Sequence, residues 1–203
     1  MSQGRKPIIT GGKLPQFRSV ALVAVGSNYP SVSGDARETI RKGITAVQTD
    51  RTMIRAVSRY YRTPAFPPGN GPDFVNAALA VETDFGPQEF LLLLHSVEAA
   101  MGRERRERWA PRTLDLDLIA MDEIVLPDAQ THKTWRRMSL EAQMSTTPDT
   151  LILPHPRLQE RAFVLVPLAD VAADWVHPVL GRSVSQMLDA LPESDRGEVR
   201  PIE

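Results

Sequence analysis

Two aspartates separated by a single residue, Asp115 and Asp117, stand in the segment Leu-Asp-Leu-Asp-Leu at positions 114–118. In a β-strand successive side chains point to opposite faces, so both carboxylates would share one face and the leucines the other. Two short carboxylates can hold a divalent metal between them, and several arginines stand immediately upstream, at 103–112. Metal ions and arginines together are the groups that bind polyphosphates.

The acidic strand and the arginines also have plainer interpretations. Alternating leucine and aspartate is typical of an amphipathic edge strand whose acidic face is solvated. The run Arg-Glu-Arg-Arg-Glu-Arg at 103–108 could be a salt-bridged helix end. Aspartate is disfavoured in strands relative to threonine, lysine or glutamate, so two of them on one face favour the metal interpretation.

Composition limits the class of protein. With 203 residues and 42% hydrophobic residues, the chain can form one well-filled core. The net charge of −1 provides no overall positive field for nucleic acid or anionic membranes, so any phosphate affinity must be local. The absence of cysteine excludes disulfides, thiolate zinc sites and cysteine nucleophiles, and we expect a reducing cytoplasm as the location.

The hydrophobic pattern indicates which elements position the acidic strand. No apolar run has the length of a signal peptide or a membrane span, and we expect residues 1–17 to be a flexible N-terminal extension of a single domain over 18–203. The polar segment 127–150 is interpreted as an insertion or a mobile loop. The pattern predicts strands over 19–25, 52–61, 74–83, around Asp115 and over 151–155, apolar core at 163–171, and helices over 35–49, from 86 onward and over 183–191.

The order of these elements is strand, helix, strand, strand, helix, strand. It predicts an α+β fold with a ferredoxin-like core, in which helices pack on the faces of a mainly antiparallel sheet. The first two helices would lie on one face of this sheet.

Five fragments occur along the chain in this order: Val-Gly-Ser-Asn at 25–28, Tyr-Arg-Thr-Pro at 61–64, Asp-Phe-Val-Asn-Ala-Ala at 73–78, Arg-Thr-Leu-Asp-Leu-Asp at 112–117 and Leu-Pro-His-Pro at 153–156. Taken together, they resemble the 6-hydroxymethyl-7,8-dihydropterin pyrophosphokinase family of folate biosynthesis. The resemblance implies transfer of the β,γ-pyrophosphoryl group of ATP to the hydroxymethyl oxygen of the pterin, with AMP as the second product. It also implies two magnesium ions, ATP as co-substrate, and Asp115 and Asp117 as ligands of both metals.

The resemblance also implies a set of site residues. The catalytic residues would be Arg105, Arg112, Asp115 and Asp117. The pterin would be bound by Thr63, Phe66, Phe74, Asn76, Trp109 and Phe163, with the ring between Phe74 and Phe163 and its polar edge on Asn76. ATP would be bound by Glu98, Arg103, Arg112, Leu118, His155 and Arg161. Trp109, Arg105 and Arg112 would belong to a mobile loop that closes over the substrates.

Several of these roles have alternatives. The arginine segment is slightly short against some relatives, so the role of Arg105 could fall on Arg106. Phe74 stands where the family often has tyrosine, and it and Phe163 could simply be core residues. His155 could be a hydrogen-bonded loop residue without a role in catalysis. Glu98 could be a partly exposed helix carboxylate, and Arg103 could cap the preceding helix.

Two other functions are compatible with the same residues. Paired carboxylates and arginines also serve two-metal phosphohydrolases and nucleases. An RNA-binding α+β module could use Phe74 and Phe163 as stacking platforms, although the near-zero net charge and the aspartate pair argue against it. We therefore expect small-molecule partners, ATP and the hydroxymethyldihydropterin, with no nucleic acid and no membrane, and a monomeric protein.

Overall fold

The computed structural model describes residues 19–29, 34–65, 71–102 and 113–203. Within these residues six strands form one sheet, in which all the paired strands run antiparallel. The strands are β1 (Ser19–Ser27), β2 (Thr52–Val57), β3 (Tyr61–Thr63), β4 (Phe74–Thr83), β5 (Asp115–Met121) and β6 (Arg200–Pro201). The helices are α1 (Ala36–Val47), α2 (Pro87–Ala100), α3 (Ala129–Arg137), α4 (Leu140–Ser145), α5 (Ala162–Ala172), α6 (Val184–Asp189) and α7 (Glu193–Gly197), with a 3₁₀ turn at Leu158–Glu160.

The long strand β4 organises the sheet. It pairs with the whole of β1, and on its other edge it pairs first with β3 and then with β2. On the far side of β1 lies β5, so the sheet runs in the order β5-β1-β4-β3-β6, with β2 beside β4. The predicted α+β class with a mainly antiparallel sheet is confirmed.

Helices cover both faces of the sheet. α1 and α2 pack on one face, where Ile40, Phe90 and Leu94 are fully buried against strand residues such as Val23 and Leu79. α5 and α6 pack on the opposite face in a second apolar cluster. The buried members of this cluster include Leu22, Ala78, Ile119, Val164, Leu165, Leu168 and Met187.

A register shift interrupts the pairing of β5 with β1. Leu22 pairs with Ala120 and Val23 with Leu118, so Ile119 is an extra residue in the strand. Such a bulge leaves one residue outside the regular ladder and increases the local twist. As a result Ile119 and Ala120 both join the cluster beneath α5, whereas Leu118 lies in the cluster beneath α1 and α2.

Two predicted strands are corrected. The strand predicted over 52–61 is two strands, because the Ser58 hydroxyl oxygen accepts the Ala78 N–H at 2.8 Å in place of a backbone carbonyl. The segment 151–155 contributes an isolated bridge between Leu153 and Leu126 and is not a strand. The predicted apolar core at 163–171 is confirmed, and the run lies in helix α5, which the sequence pattern did not assign.

The segment 127–150 is helical, not a loop. Asp128 caps α3 by accepting hydrogen bonds from the N–H groups of Gln130 and Thr131, and Ser139 caps α4 through Ala142. His132 is the only buried residue of α3, so the segment lacks the apolar periodicity that identifies a helix from sequence.

None of the helices in the described part of the chain combines the length and the hydrophobicity that a bilayer crossing requires. The predicted flexible extension, residues 1–17, lies outside the described residues.

Candidate active site

The aspartate pair faces away from the core beneath α1 and α2. Leu114, Leu116 and Leu118 are buried in that core, whereas Asp115 and Asp117 are half-buried on the opposite face. The predicted alternation along this strand is confirmed. The carboxylates therefore lie on the face that α5 covers elsewhere along the sheet.

Gly26 of β1 forms the floor of the site between β5 and β4. It pairs with Asp115 on β5 and with Asn76 on β4, so the three residues form one row across three strands. A Cβ atom at Gly26 would stand 3.2 Å from Asn76 Oδ1 and 3.9 Å from the Phe74 ring. Because glycine lacks this atom, the row leaves an opening between the carboxylate and the amide.

The orientation of the Asn76 amide is fixed by a neighbouring strand. Asn76 Nδ2 donates to Thr63 Oγ1 at 2.8 Å, and both residues are more than nine-tenths buried. The amide oxygen is thereby turned toward Gly26 and the opening. A flat ligand above Gly26 would meet this oxygen as a hydrogen-bond acceptor.

A partly exposed ionic network holds β3 against α5 beside this row. The Tyr61 hydroxyl donates to Asp170 at 2.8 Å, and Arg59 donates to the same carboxylate through its side chain and its backbone N–H. Burial of Tyr61, together with its hydrogen bond to Asp170, raises the pKa of the hydroxyl to about 12. Burial alone would raise the pKa of Asp170, but the hydrogen bonds from Arg59 and Tyr61 outweigh it and lower that pKa.

Phe163 lies in the first turn of α5 and is 41% exposed. The preceding residue, Ala162, packs against Tyr61, which pairs with Asn76 in the sheet. The guanidinium of Arg161 lies 5.6 Å from the centre of the Phe163 ring. The alternative that Phe163 is a core residue is wrong, because this residue is 41% exposed in the first turn of α5.

The segment after Pro154 joins β5 beyond the carboxylates. The His155 N–H donates to the Ile119 carbonyl at 2.7 Å, and the imidazole Nδ1 accepts the Arg157 N–H at 3.1 Å. Burial, together with the positive charges of Arg161 and Arg157, lowers the pKa of His155 well below its usual range. The neutral ring therefore carries its proton on Nε2, which makes Nε2 a hydrogen-bond donor.

Glu98 of α2 lies beside β5, and Leu118 of β5 points into the core away from the aspartates. Glu98 is 2% exposed, so it is not the partly exposed carboxylate of the alternative, and its Oε1 accepts the Leu116 N–H at 2.8 Å. This bond covers the outer edge of β5. The Leu118 side chain lies in the core, so a contact between this residue and ATP would come from its backbone.

Five predicted site residues lie outside the described residues: Phe66, Arg103, Arg105, Trp109 and Arg112, together with the alternative Arg106. The structure brings together Asp115, Asp117, Asn76, Thr63 and Phe74, and it places Phe163, His155 and Arg161 on the adjoining segments.

Two residues in the first of the five fragments have functions that the sequence did not assign. Gly26 leaves the opening, and the buried Ser27 donates from its hydroxyl to the Thr113 carbonyl at 2.6 Å, which joins the end of β1 to the start of β5. The only sequence signal was the glycine directly after an apolar strand.

The carboxylate pair fits a magnesium ion whose remaining ligands come from a substrate and water. In the described ranges no group of three or more His, Cys, Asp or Glu side chains could hold a metal ion. Magnesium in phosphate-transfer sites commonly takes one or two carboxylates and completes its shell with phosphate oxygens and water. Asp115 and Asp117 supply that number of ligands on one open face.

Comparisons with known proteins match this arrangement. Residues 22–173 match the family model described as 7,8-dihydro-6-hydroxymethylpterin-pyrophosphokinase. A 2-amino-4-hydroxy-6-hydroxymethyldihydropteridine pyrophosphokinase of Synechocystis sp. is 33% identical over 86% of this chain and 77% of its own length. The protein of the same name from Pseudomonas aeruginosa is 36% identical over 84% of this chain and 90% of its own length.

Solved structures share the fold. The wild-type HPPK-DHPS of Plasmodium falciparum with pteroate superposes with a TM-score of 0.61 at 13% identity, over 84% of this chain. This chain spans 44% of the length of that protein, so the comparison concerns one part of it.

The chain is thus an enzyme of the pyrophosphokinase class, with an α+β fold whose antiparallel sheet carries the two aspartates. It belongs to the 7,8-dihydro-6-hydroxymethylpterin pyrophosphokinase family. Its activity is pyrophosphoryl transfer to the hydroxymethyldihydropterin in folate biosynthesis.

Proposed function

We propose that the chain transfers the β,γ-pyrophosphoryl group of ATP to the hydroxymethyl oxygen of 6-hydroxymethyl-7,8-dihydropterin in a magnesium-dependent reaction that leaves AMP. One observation carries this proposal. Asp115 and Asn76 flank the side-chain-free Gly26 on a single face of the sheet. A carboxylate that would bind phosphate through magnesium and an amide that would bind a heterocycle thus lie on two strands separated only by β1, close enough for a transfer between two substrates.

On the acceptor side, Asn76 would read the polar edge of the pterin. Its oxygen faces the opening because its nitrogen is held by Thr63. The pterin carries N–H groups that can donate hydrogen bonds to this oxygen. Phe74 and Phe163 offer ring faces for stacking, at the base of the opening and at the exposed start of α5.

On the donor side, Asp115 and Asp117 would hold two magnesium ions, which when bound supply positive charge to the phosphate oxygens. His155 would donate from Nε2 to a phosphate oxygen, and Arg161 would add a positive charge beside it. Arg105, Arg112, Arg103 and Trp109 would complete the phosphate and pterin contacts, as the family resemblance implies.

The transfer is an in-line displacement at the β-phosphorus. The hydroxymethyl oxygen forms a bond to that phosphorus, and the bond from the β-phosphorus to the oxygen bridging the α- and β-phosphates breaks. AMP leaves with that oxygen, the hydroxyl proton passes to solvent, and Asp117 would orient the hydroxyl. The cationic side chains of the chain offset the charge that develops on the phosphate oxygens.

The sheet edges favour a monomer. The outer edge of β5 is covered where Glu98 accepts the Leu116 N–H, and the opposite edge strand β6 is short and contains Pro201. Both features oppose pairing with a second sheet. Light scattering coupled to gel filtration at micromolar concentration should give a mass near 22.5 kDa.

The decisive experiment combines the protein with ATP, magnesium and 6-hydroxymethyl-7,8-dihydropterin and analyses all products by mass spectrometry. We expect AMP and a pterin diphosphate in equal amounts. Formation of ADP with a pterin monophosphate, or hydrolysis of ATP that does not depend on the pterin, would refute the proposed transfer. Asp117→Asn serves as the control, because it keeps the shape of the side chain and removes the charge.

A further inference from the structure

Helix α3 buries a histidine against the segment that leads to His155. His132 is fully buried, and its Nε2 lies 2.9 Å from the carbonyl oxygen of Pro154. Since a carbonyl only accepts hydrogen bonds, Nε2 must carry the proton and donate. The His132 side chain thus connects the 127–150 segment to the peptide directly before His155.

Two further contacts fix the same stretch of chain. Leu153 exchanges backbone hydrogen bonds with Leu126 at 2.9 and 3.2 Å, and the His155 N–H is bound to Ile119. The Pro154 carbonyl between them is held by His132 alone among the hydrogen bonds found in the described residues. Removing the donor would leave a buried carbonyl unsatisfied between two fixed residues.

The environment of His132 keeps it neutral and in place. Burial, opposed by the hydrogen bond to Pro154 and aided by the charge of Arg136, lowers the pKa of His132. The ring of His177 stands behind it, with centroids 5.7 Å apart in an edge-on arrangement. His177 is itself fixed, because its Nδ1 accepts the Val179 N–H at 3.1 Å.

We propose that His132 is a positioning residue for nucleotide binding: it holds the Pro154 peptide by its carbonyl oxygen and so sets the position of the His155 imidazole. The 127–150 segment then has a function in the reaction, through one hydrogen bond. This inference rests on the proposed role of His155 at the phosphates of ATP.

Two substitutions of similar size separate this function from general stability. In His132→Gln the amide nitrogen can reach the place of Nε2 and donate to Pro154, whereas in His132→Asn it reaches only the place of Nδ1. His132→Ala would also remove packing and could fail to fold, so the amide pair is the primary test. Lys133→Ala, at the exposed neighbouring position, is the control on the same helix.

We expect His132→Asn to raise the KM for ATP about tenfold, which corresponds to about 1.4 kcal/mol, with the KM for the pterin within twofold of wild type. His132→Gln and Lys133→Ala should stay within threefold for both substrates. In a His155→Ala background, His132→Asn should have no further effect on the KM for ATP, because it acts through the residue already removed.

Equal KM values for ATP in the Asn and Gln variants would overturn the inference, as would a parallel rise for both substrates or full additivity with His155→Ala. The proposed function fails differently: wild-type protein would form no pterin diphosphate. A wild-type KM for ATP in His155→Ala would remove His155 from the nucleotide site, and the inference with it, while leaving the transfer reaction established.

Discussion

The substitution Gly26→Ala separates the function of the site from the stability of the fold. The new methyl group would lie 3.2 Å from Asn76 Oδ1, a contact tight enough to require a shift of a few tenths of an ångström, and 3.9 Å from the Phe74 ring. It would stand in the opening between Asn76 and Asp115, where the proposed pterin lies.

The two effects on stability nearly cancel. Replacing glycine by alanine lowers the entropy of the unfolded chain and stabilises by about 0.4–1 kcal/mol. Displacing Asn76 weakens its bond to Thr63, a bond that contributes about 0.5–1.5 kcal/mol. The net change should be below about 1 kcal/mol, which shifts the Tm by no more than about 2–4 °C for a chain of this size.

The effect on pterin binding should be larger. The methyl group excludes the ring from its position and displaces the acceptor that reads it, a loss of about 1.4–3 kcal/mol. This corresponds to a fall of about 10- to 150-fold in kcat/KM for the pterin. ATP binding should change less than threefold, because the added atom meets β4 side chains and not those of β5.

The assay measures AMP release while one substrate is varied at a time, together with thermal unfolding of the same samples. Gly197→Ala is the matched control, since a Cβ at Gly197 would meet nothing within 4 Å. If Gly26→Ala kept the wild-type KM and kcat for the pterin, the opening above Gly26 would not be the pterin site. A Tm fall of more than 8 °C would show that the stability estimate is wrong.

Three further predictions concern the metal strand, pH and the β3–α5 contact. Asp115→Ala and Asp117→Ala should each lower magnesium-dependent turnover by a factor of about 100 or more with the fold intact by circular dichroism; near-normal rates would remove the carboxylates from the metal site. Burial, then the nearby charges of His132 and Arg136, lowers the pKa of His177 to about 4 from 6.5, so the unfolded chain binds a proton that the folded one does not. Stability should therefore be complete above pH 6.5 and fall by about 3 kcal/mol as the pH drops to 4; urea unfolding that shows the same loss in His177→Asn would contradict this origin. Tyr61→Phe should lower the free energy of unfolding, measured by urea unfolding, by about 0.5–1.5 kcal/mol, because Asp170 still accepts hydrogen bonds from Arg59. A loss above about 3 kcal/mol would mean that the hydroxyl contributes more to stability than its hydrogen bond to Asp170.

The acidic strand and its face could be predicted because a strand has a period of two residues. Once Leu114 and Leu116 are assigned to the core, the orientation of Asp115 and Asp117 follows without knowledge of the rest of the fold. The two helices beneath the sheet follow in the same way from their regular apolar spacing.

The sequence did not predict features that depend on contacts between distant segments. The function of Gly26 becomes visible only when Asp115 and Asn76 are paired to it, 89 and 50 residues away along the chain. Helix α3 shows no apolar stripe, because its docking uses a polar side chain, His132, on a backbone carbonyl. The apolar run of α5 could not be distinguished from a strand by pattern alone.

The extra residue in β5 has a consequence for how the site keeps its dimensions. A bulge residue leaves the regular ladder, and the Ile119 carbonyl instead accepts the N–H of His155, two residues beyond Asp117. The strand therefore carries the carboxylates and also holds the His155 backbone by a hydrogen bond, so the spacing between the two groups depends on the length of β5 between Asp115 and Ile119. Deleting Ile119 would remove the carbonyl that holds His155 and leave Leu118 and Ala120 in regular alternation, so we expect this deletion to lower activity far more than substitutions of the Ile119 side chain.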